Sequence, residues 1–592
     1  MAFGLQQAFP IHDNEIRVVD LLPGSGLEPI TFECRVITLN GGRDFEALSY
    51  VWGDLHARRT VEISGYNIEV TRMLYSAFQH LRKPDEKRTL WVDQVCINQH
   101  DDNEKSHQVS LMRTIYKKCS QCVIWLGDIP SDQEFSRLDA EVAMTFIHTV
   151  AYERGYFSED DCNLHTFVTD NDRGRRARKA FGALTMGGNP WWSRMWTLQE
   201  ASLPFAATLH WGPLTLPLET VELAALNLCQ GWFCEISSDE VAAEYKRLTS
   251  NFLYPVRGLS IARAGETPLN VLMRWRYREA TDLRDKVYGL IGLLPSDSLS
   301  NIPALRDVSY SVTSSTLFLR LTLDLIKLDQ DLRPLIGARE LPHITPNLPT
   351  WAIDFASSSA IGKRQTMWWH HSHRYLRWKA SEGLHLRLEV SKDEETLFLS
   401  GIMIDCVQKV SQVYYVSVED EIDDEKLREN IAHSRSIVEE YETCCGKADY
   451  IGGGTLKDAF WRTMLGNLVM GEMPKGLPKD YHAEYFESYI SKGTHNRLIL
   501  SLHGLIPNHA FFITTNGYLG IGSSDLRQGD EVCIFGGGRV PFVIRAQDGL
   551  PSEGLKPESR RFHLVSNAYV HGIMRGEAVI QNKARLQMIE LA

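Results

Sequence analysis

EALSYVWGD at Glu46–Asp54, LWVDQVCINQ at Leu90–Gln99 and WWSRMWTLQEASL at Trp191–Leu203 are the three stretches whose reading decides the fold. The first two are short apolar runs ending in polar residues, and the third is an aromatic-rich helix start. This βα grammar collects polar side chains at strand ends, where α/β folds build ligand sites. Working outward, Thr31–Leu39 alternates like a strand, Ala47–Val51 is the next, and Val61–Val70 alternates about Ser64-Gly65-Tyr66, which predicts a hairpin. A helix over Arg72–Leu81 leads to a strand at Leu90–Val95. Val109, Met112, Ile115 and Tyr116 then recur at helical spacing behind Asp101, Asp102 and Asn103, and feed a strand at Cys122–Leu126. Strand, helix, strand, helix, strand in order predicts a parallel sheet covered on both faces. Residues 130–190 read as a helical insertion ended by Gly187-Gly188-Asn189-Pro190, with the proline suited to the first turn of the next helix. That helix carries Trp196 and Glu200 four apart, hence on one face. Ala207–Trp211 closes the unit.

A chain of 592 residues and 67.3 kDa exceeds what one core usually serves. The division predicted is a loose segment at 1–30, an α/β domain at 31–215, a mainly helical region at 216–380 and a C-terminal region at 381–592. In the last, strands at Leu384–Val390 and Thr396–Val410 join short strands between Phe511 and Ala578 in a small β-barrel, interrupted by a helical insertion at about 420–500. Asp285–Leu294 (DKVYGLIGLL) is too short to span a bilayer and reads as a buried segment. A composition of 43% hydrophobic and 23% charged residues is that of a folded soluble protein. The net charge of -12 argues against general polyanion binding, so no nucleic-acid partner is expected. The basic run Arg173–Lys179 (RGRRARK) reads as a solvated helix face, against a phosphate or import patch. Eleven scattered cysteines fit reduced thiols. With no secretory leader and no membrane-length apolar run, a cytoplasmic location is expected, and the nucleus remains open to it.

In order and spacing, ALSYVWGD, LWVDQVCINQ with IYKKCSQCVIWLG after it, and SRMWTLQEASL resemble the motifs of fungal heterokaryon-incompatibility (HET) domain proteins. Further matches are ATDLRDKVYGLIGLLP from Ala280, LPTWAIDF from Leu348, GYLGIGSSDLRQGDEVCIFGGGRVPFVIR and YVHGIMRGEA. The resemblance implies fungal self/non-self recognition and a programmed cell-death effector. The HET domain in turn resembles the TIR domain, a flavodoxin-like module that in several lineages cleaves NAD at its nicotinamide bond. LSYVWGD sits like the first TIR strand and its loop, WVDQ like the acidic second strand, and SRMWTLQE like the helix start that supplies the TIR glutamate. Carried over, this makes Glu200 the candidate catalytic residue, and Ser49, Trp52, Asp54, Asp93 and Trp196 candidates for an NAD pocket. One departure is the long stretch 130–190, where TIR domains keep strand and glutamate close. The resemblance also implies a homo-oligomer through the TIR-like domain and an allelic or NLR-type protein partner.

Glycosidic cleavage of NAD needs a carboxylate against the ribose or the oxocarbenium charge and a stacking surface for the leaving nicotinamide. Glu200 and Trp196 could supply both; the plainer reading is a helix-surface glutamate and a core tryptophan. Asp54 and Asp93 lie at predicted strand ends, where they could meet a ligand or cap a helix or turn. Asn98 and Gln99 are pocket or scaffold residues. Cys119 and Cys122 form a lone CxxC that reads as a half-buried thiol pair, and Cys96, placed in a strand, reads as packing. His370, His371 and His373 among Trp368, Trp369 and Trp378 offer weak metal-ligand spacing, and no metal is expected. Gly536-Gly537-Gly538 lacks the lysine of a phosphate loop and reads as a hairpin turn. Two alternatives stay open: a non-catalytic signalling module of the same fold, or a regulatory or passive gene-cluster member.

Overall fold

The computed structural model describes residues 3–26, 28–42, 44–130, 134–152, 167, 169–229, 239–264, 266–338, 343–357, 375–417, 422–446, 449–470, 474–477, 483–494, 496–547, 560–582 and 585–592. In chain order the first unit has α1 (Phe3–Ala8), β1 (Glu15–Leu21), β2 (Thr31–Thr38), β3 (Glu46–Tyr50), β4 (Arg58–Ile63), β5 (Tyr66–Thr71) and α2 (Arg72–Leu81). There follow β6 (Arg88–Trp91), the single turn α3 (Asp93–Cys96), α4 (Asp102–Lys118), β7 (Cys122–Trp125), α5 (Arg137–Tyr152) and α6 (Asp172–Leu184). Then come α7 (Thr197–Ser202), β8 (Ala207–Trp211) and β9 (Leu214–Pro217). This unit spans Met1–Leu272 and takes back Arg278–Ser300 and Leu305–Ser311.

The nine strands form one mixed sheet in the order β5-β4-β2-β1-β6-β3-β7-β8-β9. At its centre β6, β3, β7 and β8 are mutually parallel. By chain order of those four strands the arrangement is 2-1-3-4, a doubly wound order in which the connections reverse direction beside β3. The hairpin between β4 and β5 turns on Ser64 and Gly65, at φ 50° and 82°, the left-handed pair that a two-residue turn requires. On one side of the sheet α2 places Leu74, Ala77, Phe78 and Leu81 against Phe32, Leu48, Val70 and Trp125.

Two expectations need correction here. The segment expected to be loose includes β1, which pairs with β2 on one side and β6 on the other. Its sequence, EIRVVDL, breaks apolar alternation with Arg17 and Asp20, yet both are buried because each meets opposite charge. Arg17 pairs with Glu104, and Asp20 with Lys87 and Arg35. The strand expected to run to Val95 stops at Trp91, and Asp93 opens the helical turn α3 instead, so Cys96 lies in that turn and not in a strand.

The second unit holds Met273–Tyr277, Asn301–Ala304 and Val312–Ala592. Its strands are β10 (Leu388–Val390), β11 (Leu397–Val410), the short pair β12 (Leu468–Val469) and β13 (Lys475–Gly476), β14 (His509–Thr514), β15 (Leu519–Ser523), β16 (Glu531–Phe535), β17 (Phe542–Ala546), β18 (Arg561–Val570) and β19 (Gln587–Leu591). From β11 the pairing runs through β14, β15, β18, β17 and β16 and returns to β11, so the strands close a ring. β11 can serve both ends because it is 14 residues long and shifts register twice, between Met403 and Asp405 and between Val407 and Lys409. Helices at Asp424–Cys445, Leu456–Met464, Glu484–Lys492 and Ile499–His503 are inserted between β11 and β14. Gly537, at φ 79°, lies in the turn from β16 to β17.

Gly520 on β15 sits opposite Phe512 on β14, and a Cβ there would lie 2.3 Å from the phenyl ring. Gly520→Ala is therefore expected to lower the stability of this unit by about 1–3 kcal/mol, because the ring must leave its place in a packed interior. Calorimetry of the variant should show a lower unfolding temperature for one transition, and an unchanged trace would contradict that packing.

Candidate functional site

Along β3 side chains alternate between the two sheet faces. Leu48 and Tyr50 join the core beneath α2, which turns Ser49 to the opposite face, toward α7. There the Ser49 hydroxyl donates to Glu200 Oε2 and accepts from Trp191 Nε1 at 2.7 Å. Ser49 and Trp191 are 1% exposed and Glu200 7%. Next along the strand ends, the Asp93 carboxylate receives Trp52 Nε1 at 2.9 Å and the Gln94 amide at 2.7 Å. Arg194 Nη1 donates to the Tyr50 carbonyl at 2.9 Å. Ser49, Tyr50, Trp52 and Asp93 thus meet at the carboxyl ends of β3 and β6, beside the reversal in strand order, where open α/β sheets bind ligands.

Burial pushes the Glu200 carboxyl up to about 7; Arg194 and the Ser49 hydroxyl oppose that rise and the Asp93 charge adds to it. Asp93 is raised for the same first reason, against the pull of Arg194 and of the Trp52 indole. The Tyr50 hydroxyl, buried and close to Asp93, is held un-ionised. Two acidic groups therefore feel the charge of one guanidinium in a water-poor site, and burial brings one of them close to neutrality. Such a carboxyl can hold a hydroxyl, give a proton or carry charge opposite a developing cation.

The other candidates lie apart from this group. Asp54 is exposed and folds its carboxylate onto the His56 amide in a turn, 2.8 Å away. Trp196 precedes α7, and its indole lies near Asp285, whose carboxyl it helps keep down against burial. The helix expected to run from Pro190 is in fact two pieces: a 3₁₀ turn at Pro190–Ser193, capped by Asn189, and then α7. Between them Arg194 is extended and bridges to Glu279, which ends the first piece. Asn98 and Gln99 do scaffold work: the Asn98 amide donates to Glu104 and the Gln99 side chain to the Asp93 carbonyl. Cys96 is buried and accepts the Val92 amide. Cys119 and Cys122 are buried thiols. In the basic run, Arg178 is buried against Glu244, and Arg175, Arg176 and Lys179 face acidic neighbours. His370, His371, His373, Trp368 and Trp369 lie outside the described residues.

Residues 45–200 match the family model of the heterokaryon incompatibility protein (HET), and residues 471–588 match that of the Het-6 beta-barrel domain. The chain thus carries a HET domain match near its start and a Het-6 beta-barrel match near its end. Heterokaryon incompatibility protein 6, OR allele, of Neurospora crassa is 24% identical to it over 95% of this chain and 94% of that protein. No solved structure matches. The match to the HET model begins just before β3 and ends at Glu200, so it encloses Ser49, Asp93, Trp191 and Arg194 together. No helix among the described residues is long and apolar enough to cross a membrane.

Trp191, Tyr50 and Arg194 are site residues that the motif reading passed over. All three stand inside the quoted blocks, but a tryptophan pair reads as core, and nothing in local spacing shows which indole will reach the Ser49 hydroxyl. Trp191 does, and Trp196 faces elsewhere.

Proposed function

We propose that this HET protein acts in fungal self/non-self recognition and that its first unit cleaves NAD in the manner of TIR domains. The observation that carries the reading is Glu200: a buried carboxyl, poised near neutrality, bound to Ser49 at the carboxyl ends of parallel strands in 2-1-3-4 order. As the C–N bond to nicotinamide lengthens, an ionised Glu200 would hold the ribose and offset its positive charge, and Arg194 would hold that carboxylate ready. Trp52, half-buried with its indole N–H tied to Asp93, is the better placed stacking surface, in place of Trp196. The role in recognition is supported by likeness to the Neurospora protein, and the cell-death output is carried over from the family resemblance alone. A homo-oligomer, an allelic or NLR-type partner and a cytoplasmic location belong to the same reading.

The second reading is a non-catalytic module, and the burial of Glu200 in a bond with Ser49 favours it, because an internal carboxyl can serve packing alone. Incubating the whole chain with NAD and measuring released nicotinamide separates the two. Release that disappears in Glu200→Gln supports the enzyme. A folded chain that releases none, at concentrations where it self-associates, leaves the module.

A further inference from the structure

The segment that carries Glu200 is held by residues about eighty positions downstream. The Met195 amide donates to the Glu279 carbonyl at 2.8 Å, and the Glu279 amide to the Ser193 carbonyl at 2.6 Å, a two-bond bridge centred on Arg194. The Ser193 hydroxyl also reaches the Glu279 carboxylate at 3.1 Å. Arg278, 1% exposed, donates from Nη1 to the Arg194 carbonyl at 3.2 Å and to the Thr197 hydroxyl at 3.1 Å. Its own carbonyl receives Lys286 Nζ. Further on, Gln199 Nε2 donates to the Tyr288 carbonyl at 3.3 Å.

Two glycines let this strap lie flat on α7. A Cβ on Gly289 would come 2.6 Å from Met195 Cγ, and one on Gly292 would come 2.2 Å from Gln199 Oε1 and 2.9 Å from Leu203 Cδ1. α7 itself is six residues long, too short to hold its own shape in water, so its place is set by what grips it. The sheet, α4 and the helix at Asp239–Ala264 pack against it, and this strap adds the hydrogen bonds that fix the turn before it.

We propose that residues 278–292 form a positioning strap for the site, in which Arg278 and Glu279 hold the Ser193–Thr197 turn so that Glu200 meets Ser49. The strap lies beyond the stretch that matches the HET model, and the residues on both sides of it, 273–277 and 301–304, belong to the second unit. A fragment cut near residue 215 lacks it. The inference builds on the Glu200 site of the proposed function, but it concerns the placement of that carboxyl and not what it does to NAD.

The test reads Glu200 without any substrate. In the whole chain, the infrared carbonyl band of its protonated carboxyl is isolated as wild type minus Glu200→Gln and titrated. Arg278→Ala should loosen α7, let water reach the carboxyl and lower the midpoint by at least about one pH unit, since burial is what raises it. Arg278→Lys should recover part of that shift. Thr197→Val, which keeps the volume and removes the acceptor, should move the midpoint in the same direction and stands in if Arg278→Ala does not fold. A folded variant with an unchanged midpoint overturns the strap, whatever the chain does with NAD. Absence of nicotinamide release with the midpoint shifted leaves the strap standing and removes only the enzymatic reading.

Discussion

Glu200→Gln is expected to stabilise the first unit at alkaline pH, by up to about 3 kcal/mol, while leaving it nearly unchanged in acid. The carboxyl rises from 4.5 to about 7 on folding, and each unit of such a shift is worth about 1.4 kcal/mol. Below 4.5 it is neutral in both states and costs nothing. As pH climbs from 4.5 to 7 the unfolded chain ionises there first, so stability is lost progressively, and above 7 the loss is complete. Glutamine cannot ionise, and its side-chain oxygen can still accept the Ser49 hydroxyl. Thermal unfolding of both proteins at about pH 4 and about pH 8 reads the effect as a gap that opens only at the higher pH. A gap of equal size at both values would mean that Glu200 titrates like an ordinary carboxylate. A gap confined to the higher pH would mean that charge at this position is carried at a cost that the fold meets elsewhere, as sites built for chemistry commonly do.

Arg17→Ala is expected to cost about 3–5 kcal/mol, the range for removing one partner of a buried ion pair. Arg17 is 1% exposed, and all its nitrogens are used. Nε donates to the Phe9 carbonyl at 2.7 Å; Nη1 reaches the Cys96 carbonyl at 3.0 Å and Glu104 at 2.6 Å; Nη2 reaches Gln6 at 3.3 Å and Glu104 at 3.1 Å. The guanidinium ties the entry segment to the end of α3, the turn that Asp93 opens. Removing it strands the Glu104 carboxylate and three carbonyls in a dry place. Arg17→Met with Glu104→Leu should recover much of the loss, because the cost lies in the unpaired charge more than in the missing attraction. Urea unfolding of the single and double variants measures this, and a loss under about 1 kcal/mol for Arg17→Ala would show the entry segment to be untied.

Much of the sheet was legible in the sequence. β3, β7 and β8 are short apolar runs, the Ser64-Gly65 hairpin announces its own turn, and Asp101 caps α4 through the Asn103 and Glu104 amides as its side-chain chemistry predicts. β1 was not legible, because its two charged residues look like surface until Glu104, Lys87 and Arg35 arrive from elsewhere in the chain. The site was legible in part. Ser49, Trp52, Asp93 and Glu200 were named from their blocks, whereas Asp54 and Trp196 were named with equal reason and lie apart from the group.

What the sequence by itself determined is therefore local: which stretches extend, which coil, where turns fall, and the likeness to HET proteins that those motifs carry. The tertiary structure decided which of two nearby tryptophans meets the Ser49 hydroxyl, that the Arg194 charge acts on both Asp93 and Glu200, and that a strap from 278–292 holds α7 in place. Periodicity reports on neighbours two to four residues apart, where covalent geometry sets the spacing. The burial that raises Glu200 depends instead on packing between segments far apart in the chain, Ser49 lying 151 positions before it, and no local pattern contains that distance.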